Sequence, residues 1–372
     1  MEKRQHESDS SSARSLSAST RLLIFFSLLL SLFPIGCSSG SHTAYITVPE
    51  ENGVSAYRIK NSTGAFTQIV GSPYLAGNSP GPLAVSPSNQ FVWVGNRVDN
   101  TISLFKIDGI NGSLTEVFPR TTAGLSPFAM VVNSSGSLLF VANEVSANIS
   151  VYSINSGTGV LTAISGSPFS TFPNPVQMVL SPSGKFLYVV NNTLDAVFGY
   201  AVASSGSLTP MTASPFTAGV GASSMAVDPN EKFAYVVNAT DNTVSIFSLD
   251  SSTGALTEVS GSPFATGTTP LAVTTDTTGA YLYVGNEGSN NISEFSIDST
   301  TGFATELTDQ PTTTTTTPVQ LVTDPDGTYI YAVSGTTRTV SGFTVDTTTG
   351  ALTDNGQTAS SAVSIGSMVV TK

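Results

Sequence analysis

The chain repeats itself about every 47–48 residues, and a period of that length constrains the fold more than any single motif. The segments FVWVGN, LLFVAN, FLYVVN, FAYVVN, YLYVGN and YIYAVS begin at residues 91, 138, 186, 233, 281 and 329, and TAYITV at 43 supplies a weaker seventh copy. A repeat of this size is one supersecondary unit that cannot bury its apolar face alone and must stack on its neighbours. Each copy leads into a second alternating run, such as ISLFKI (102–107), ISVYSI (149–154) or VSIFSL (244–249). Alternation at period two among β-branched and aromatic residues is the pattern of a strand. A turn cluster such as DSSTG (250–254) follows, then a short Leu-Thr strand and a GSPF-like loop (71–74, 166–169, 261–264). The last strand opens with Pro and ends at a turn such as SPSGK (181–185).

Four strands per repeat in seven repeats predict an all-β fold, a seven-bladed β-propeller over residues 43–372. The innermost strands align at a fixed offset. Pro80, Pro127, Pro175, Pro270 and Pro318 stand eleven residues before their FLYVVN-type strands, and Leu83, Met130, Met178, Met225, Val273 and Leu321 stand eight before. The first repeat lacks this strand, whereas SMVVT (367–371) at the other end has its pattern. Residues 363–371 are therefore expected to complete the blade formed by residues 43–70, so that the ring closes without open sheet edges. Methionines on the inner strands are expected to pack between blades.

Charged residues make up only 10% of the chain, and the net charge is −12, one unit more negative when residues 1–36 are set aside. Such a surface repels nucleic acid and anionic lipid. The single cysteine, Cys37, excludes an intramolecular disulfide. It follows the apolar run LLIFFSLLLSLFPIG (22–36), itself preceded by Arg14 and Arg21. That layout is a signal peptide over 1–36. The Gly-Cys junction resembles a bacterial lipobox, although Pro34 replaces the usual Leu. It implies an exported protein, periplasmic or at the cell surface, anchored through a lipid on Cys37, with residues 37–42 as a tether.

The strings Tyr188–Asn191, Tyr235–Asn238 with Thr243–Phe247, and Tyr283–Asn286 resemble YVTN-type propeller repeats. The cassette TGALTEVSGSPF (253–264) makes the chain similar to the propeller lactonases, the family of 6-phosphogluconolactonase and the related cycloisomerases. The resemblance implies hydrolysis of a sugar lactone on the face that carries the loops between the second and third strands and those leading into the inner strands. These loops hold Glu50, Glu51, Arg97, Asp99, Glu144, Asp195, Asp241, Glu287 and Arg338, together with Arg120 and Asp309, and predict an acidic ring interrupted by three arginines. The inner strands contribute Gln177, Ser224, Gln320 and Ser367.

Family members are thought to use His, Arg and Glu on this face. Here the two histidines are His6, in the signal segment, and His42, in the tether. The candidate catalytic bases are therefore carboxylates, Glu144 and Glu287. Arg97, Arg120 and Arg338, with Gln177 and Gln320, are the candidate substrate-binding residues. No metal or cofactor is expected, since patterns for metal hydrolases, phosphate loops and dinucleotide binding are absent. The repeated strand-ending Asn (96, 143, 191, 238, 286) is expected to cap its own turn, and Thr312–Thr317 to be a surface excursion. The expected protein is a monomer acting on a small-molecule lactone. The alternative is a non-catalytic propeller that offers this face to a protein, glycan or cation.

Overall fold

A computed structural model describes residues 40–308, 311–314 and 316–372. The signal segment, Cys37 and Asp309 lie outside the described residues. Seven antiparallel sheets form a ring. Blade 1 is built from Pro80–Val85, Phe91–Asn96, Thr101–Ile107 and Leu114–Thr122, running from the axis outwards. In five blades the outermost strand is broken in two, in four of them at the GSPF-type loop, so that Leu161–Ala163 and Phe169–Ser170 both pair with Asn148–Ile154. Blades 1 and 6 keep it whole, as Leu114–Thr122 and Leu352–Ser360.

Alternation along a strand buries both of its faces, each against a different neighbour. In Phe91–Asn96, Phe91 and Trp93 pack towards blade 2 while Val92 and Val94 pack towards the composite blade. The described residues form seven apolar clusters, one in each gap between adjacent blades. Met178, Met225 and Met368 are buried in three of them, as expected of an unbranched side chain filling a wedge.

The seam lies where the repeat pattern places it. Met368–Val370 pairs with Ala44–Ile46, and the backbone bonds Gly366 N–H to Thr47 O, Thr47 N–H to Ser367 O and Thr371 N–H to Thr43 O continue the ladder on both sides. The boundary at residue 43 needs correction. The first strand is Ser41–Val48, and His42 is a buried member of it, paired with Ile59. The domain thus contains a histidine, but at the face opposite the Glu144 turn. There its Nε2 lies 2.9 Å from Asp326 Oδ2 and 3.8 Å from Asp324 Oδ2. The threonine run is corrected too. Thr312–Thr313 is a strand against Asn291–Ile292, and Thr314 and Thr316 are buried.

Candidate functional site

The inner strands start at the upper face, which also carries the turns after Asn96, Asn143 and their equivalents. The strand-ending asparagines fix the geometry here. Asn96, Asn143, Asn238 and Asn286 are completely buried. Rather than capping their own turns, they reach sideways: Asn238 Nδ2 donates to Thr243 Oγ1 and Ser245 Oγ on the next strand, and its Oδ1 accepts the N–H of Gly219 in the loop leading into the inner strand. A Cβ on Gly219 would stand 2.6 Å from Asn238 Nδ2, which explains the glycine. Asn191 alone caps its turn, accepting the N–H groups of Thr193 and Leu194. Each asparagine thereby holds the residue after it on the rim of the axis: Arg97, Glu144, Asn192, Ala239 and Glu287.

The axis opens at this face into a cavity of about 460 Å³, within the range of about 300–1,000 Å³ typical of small-molecule sites. Arg97 is the one charged side chain that lines it. The guanidinium lies over the Phe128 ring, 4.6 Å from its centre, and Nη2 donates to Glu144 Oε2 at 2.6 Å. Ser126 Oγ donates to the same carboxylate oxygen at 3.1 Å. Arg97 Nε is buried without a partner, and Glu144 Oε1 accepts no protein hydrogen bond among the described residues. The pair therefore keeps guanidinium N–H donors and one carboxylate acceptor unused at the mouth. It is partly open to solvent, the two side chains being 37% and 29% exposed. Gly81 makes room for it, since a Cβ there would stand 2.8 Å from Arg97 Cδ.

The other candidates are distributed differently. Gln177 and Gln320 line the cavity, yet the Gln177 Oε1 and the whole Gln320 amide are committed to adjacent inner strands. Gln177 Oε1 accepts the N–H of Met225, while Gln320 accepts the N–H of Met368 at 2.9 Å and donates to its carbonyl at 3.1 Å. Ser223 does the same, donating to Pro270 O at 3.1 Å. Arg120 sits on an outer strand, forked onto Glu116 at 2.7 and 3.3 Å and 3.7 Å from Asp99. Arg338 donates to Ala362 O at 2.6 Å near the seam, close to the Glu50–Ser364 hydrogen bond. Glu287 is on the rim without a side-chain partner among the described residues, and does not line the cavity. The predicted ring of three arginines thus resolves into one at the cavity and two elsewhere. Phe128, which positions the Arg97 guanidinium, was not singled out from the sequence; its place directly after Pro127 on an inner strand is the signal that marks it.

Among the described residues one group brings three metal-ligand side chains within 4.8 Å of one another, His42, Asp324 and Asp326 on the lower face. Asn61 Nδ2 stands between them, 3.2 Å from Asp326 Oδ2 and 3.3 Å from His42 Nε2, so a donor already fills the space. Burial raises the Asp324 carboxyl above its ordinary range.

Fold and site together define a seven-bladed β-propeller with an axial cavity that has an Arg–Glu pair at its mouth. The chain belongs to the 7-bladed β-propeller lactonase family, whose family model matches residues 37–180 and 170–369. No curated protein matches it. Among solved structures it is similar to a Bacteroides fragilis protein provisionally named a 6-phosphogluconolactonase, with 21% identity over 90% of this chain and 99% of that one and a TM-score of 0.77. A Bacteroides uniformis protein of the same provisional name gives 19% identity, 89% and 99% coverage and a TM-score of 0.77. The periplasmic gluconolactonase of Pseudomonas aeruginosa gives 19%, 90% and 99%, and 0.74. These likenesses establish a shared fold.

Proposed function

We propose that the chain is a lactone hydrolase whose chemistry is carried by Arg97 and Glu144, with aldonolactones, the class named in its structural relatives, as the first substrates to try. The supporting observation is the pair itself, held at the cavity mouth of a propeller lactonase with guanidinium N–H groups of Arg97 and Glu144 Oε1 unengaged. In this reading Glu144 takes a proton from water as the water oxygen attacks the lactone carbonyl. Arg97 donates to the carbonyl oxygen as negative charge develops there. Collapse of the tetrahedral intermediate breaks the bond from the carbonyl carbon to the ring oxygen, which receives the proton from Glu144. The product is the open hydroxy acid. Ser126 and Phe128 keep the two groups in register without entering the chemistry.

Hydrolysis of glucono-δ-lactone and its 6-phosphate, followed by acid release, tests this. Glu144→Gln is expected to lower kcat by about 10²–10⁴-fold and Arg97→Ala by about 10²–10³-fold, with Glu287→Gln milder than either. An unchanged rate in Glu144→Gln sinks the assignment. In the same reading the protein works outside the cytoplasm as a monomer anchored by a lipid on Cys37. Cys37→Ser should then move it from the membrane to the soluble fraction, and continued membrane association contradicts the anchor.

A further inference from the structure

The upper face is lopsided. Val98, Leu125, Val145, Phe172, Leu194 and Val220 are all large, apolar and between 46% and 67% exposed, and all lie in turns of this face on blades 1 to 4. The repeat register makes the asymmetry plain. Leu125 and Val220 occupy the position held by Asn78 before blade 1 and Thr268 before blade 5, and Val98 and Val145 that held by Gly288 and Thr336. No large apolar residue is exposed in the described turns of blades 5 and 6 at this face. Scattered apolar side chains on a surface mean little, but a continuous patch marks a place where something apolar binds.

The crescent is continuous with the site. Val98 and Val145 directly follow Arg97 and Glu144, and Val145 N–H bonds to Leu125 O, next to the Ser126 that holds the Glu144 carboxylate. The cavity mouth below carries Phe128, Val176, Leu271 and Val319, while the Gln320 amide, the Gln177 Oε1 and the Ser223 hydroxyl in its wall are engaged between blades. The glutamine amides lie deeper in the axis, so an apolar chain resting on the mouth and the crescent would leave none of these polar groups unpaired.

Building on the lactone-hydrolase reading, we infer that the preferred substrate carries an apolar substituent, an aliphatic or aromatic chain that lies on the crescent while the lactone ring sits between Arg97 and Glu144. The matched pair δ-valerolactone and δ-decalactone, the same ring without and with a pentyl chain, tests this with the full chain. The expected kcat/KM is about 10–100-fold higher for δ-decalactone. Leu125→Asn installs the residue that the loop before blade 1 already carries, and should reduce that ratio several-fold mainly through KM; Thr268→Asn, at the same register on the polar side, should leave it unchanged. A ratio near one with both lactones opened overturns the inference and leaves the hydrolase standing, whereas failure to open any lactone overturns both. A ratio unmoved by Leu125→Asn, with that substitution instead dissolving a dimer seen on gel filtration, assigns the crescent to self-association and overturns the inference as well.

Discussion

Two residues show how different positions in the repeat carry very different consequences. Glu294 stands on the third strand of blade 5 where three other blades place Leu104, Val151 and Ile246 and the rest Ala56, Gly199 and Gly342. It is fully buried, and Oε2 accepts the Leu352 N–H of the next blade at 2.8 Å. Burial raises its carboxyl above the ordinary range, ahead of the hydrogen bonds that pull it down. The folded state then binds the proton more tightly than the unfolded chain does, so stability is greatest below the unfolded carboxylate range and falls as pH rises through the folded one. Glu294→Gln keeps an acceptor for Leu352 and removes the ionisation. Urea unfolding at acid and neutral pH should show the variant losing less stability on raising the pH than the parent; identical slopes would disprove the account. Tyr235 illustrates the opposite case, a family-motif residue that builds. Its hydroxyl donates to Gly302 O in the next blade at 3.0 Å, as Tyr45, Tyr188 and Tyr283 do to Gly112, Gly254 and Gly350, and as Trp93 Nε1 does to Gly159. The tyrosines were legible as strand residues, but their partners lie 66–67 residues away and could not be read from a local pattern.

At the scale of elements, the blade is an ordinary antiparallel sheet whose recurring polar residues patch the places where the ladder fails. Where the outermost strand breaks at the GSPF-type loop, the serine hydroxyl accepts a third-strand N–H that the break leaves over: Ser72 from Ala56, Ser167 from Val151, Ser214 from Gly199 and Ser262 from Ile246. A buried N–H left without an acceptor would cost about 1–3 kcal/mol, which is reason enough for the motif. The C-terminal inner strand is the most exposed to test. Deleting residues 363–372 removes Met368 from the gap between blade 6 and the composite blade, together with the ladder to Ala44–Ile46. Loss of a large buried side chain alone costs about 2–5 kcal/mol. The truncated chain is expected to unfold at markedly lower denaturant, and an unaltered midpoint would show that the ring does not depend on its seam.

For the whole molecule, sequence and tertiary structure settled different questions. Period-two alternation and turn residues act over a few neighbours, and the 47–48-residue repeat multiplies that local information. The strand count, the seven blades, the alignment of the inner strands and the seam were all present in the linear chain for this reason. Even the start of the first strand was displaced by only two residues, because Ser41 and His42 have no counterpart in the other repeats to mark them. Convergence at the axis is another matter. Arg97, Arg120 and Arg338 look alike as loop charges, and Gln177 and Gln320 look like free amides. Closure of the ring brought Arg97 to Glu144 and Phe128 and both glutamines to neighbouring inner strands, whereas Arg120 was taken up by Glu116 on its own strand and Arg338 by Ala362 at the edge of its own blade. The partners of Arg97 and of the two glutamines lie on other blades, at separations set by the radius of the ring and the twist of its blades. The repeat determined that there is a central cavity; the packing of unlike blades against one another decided which charges reach it.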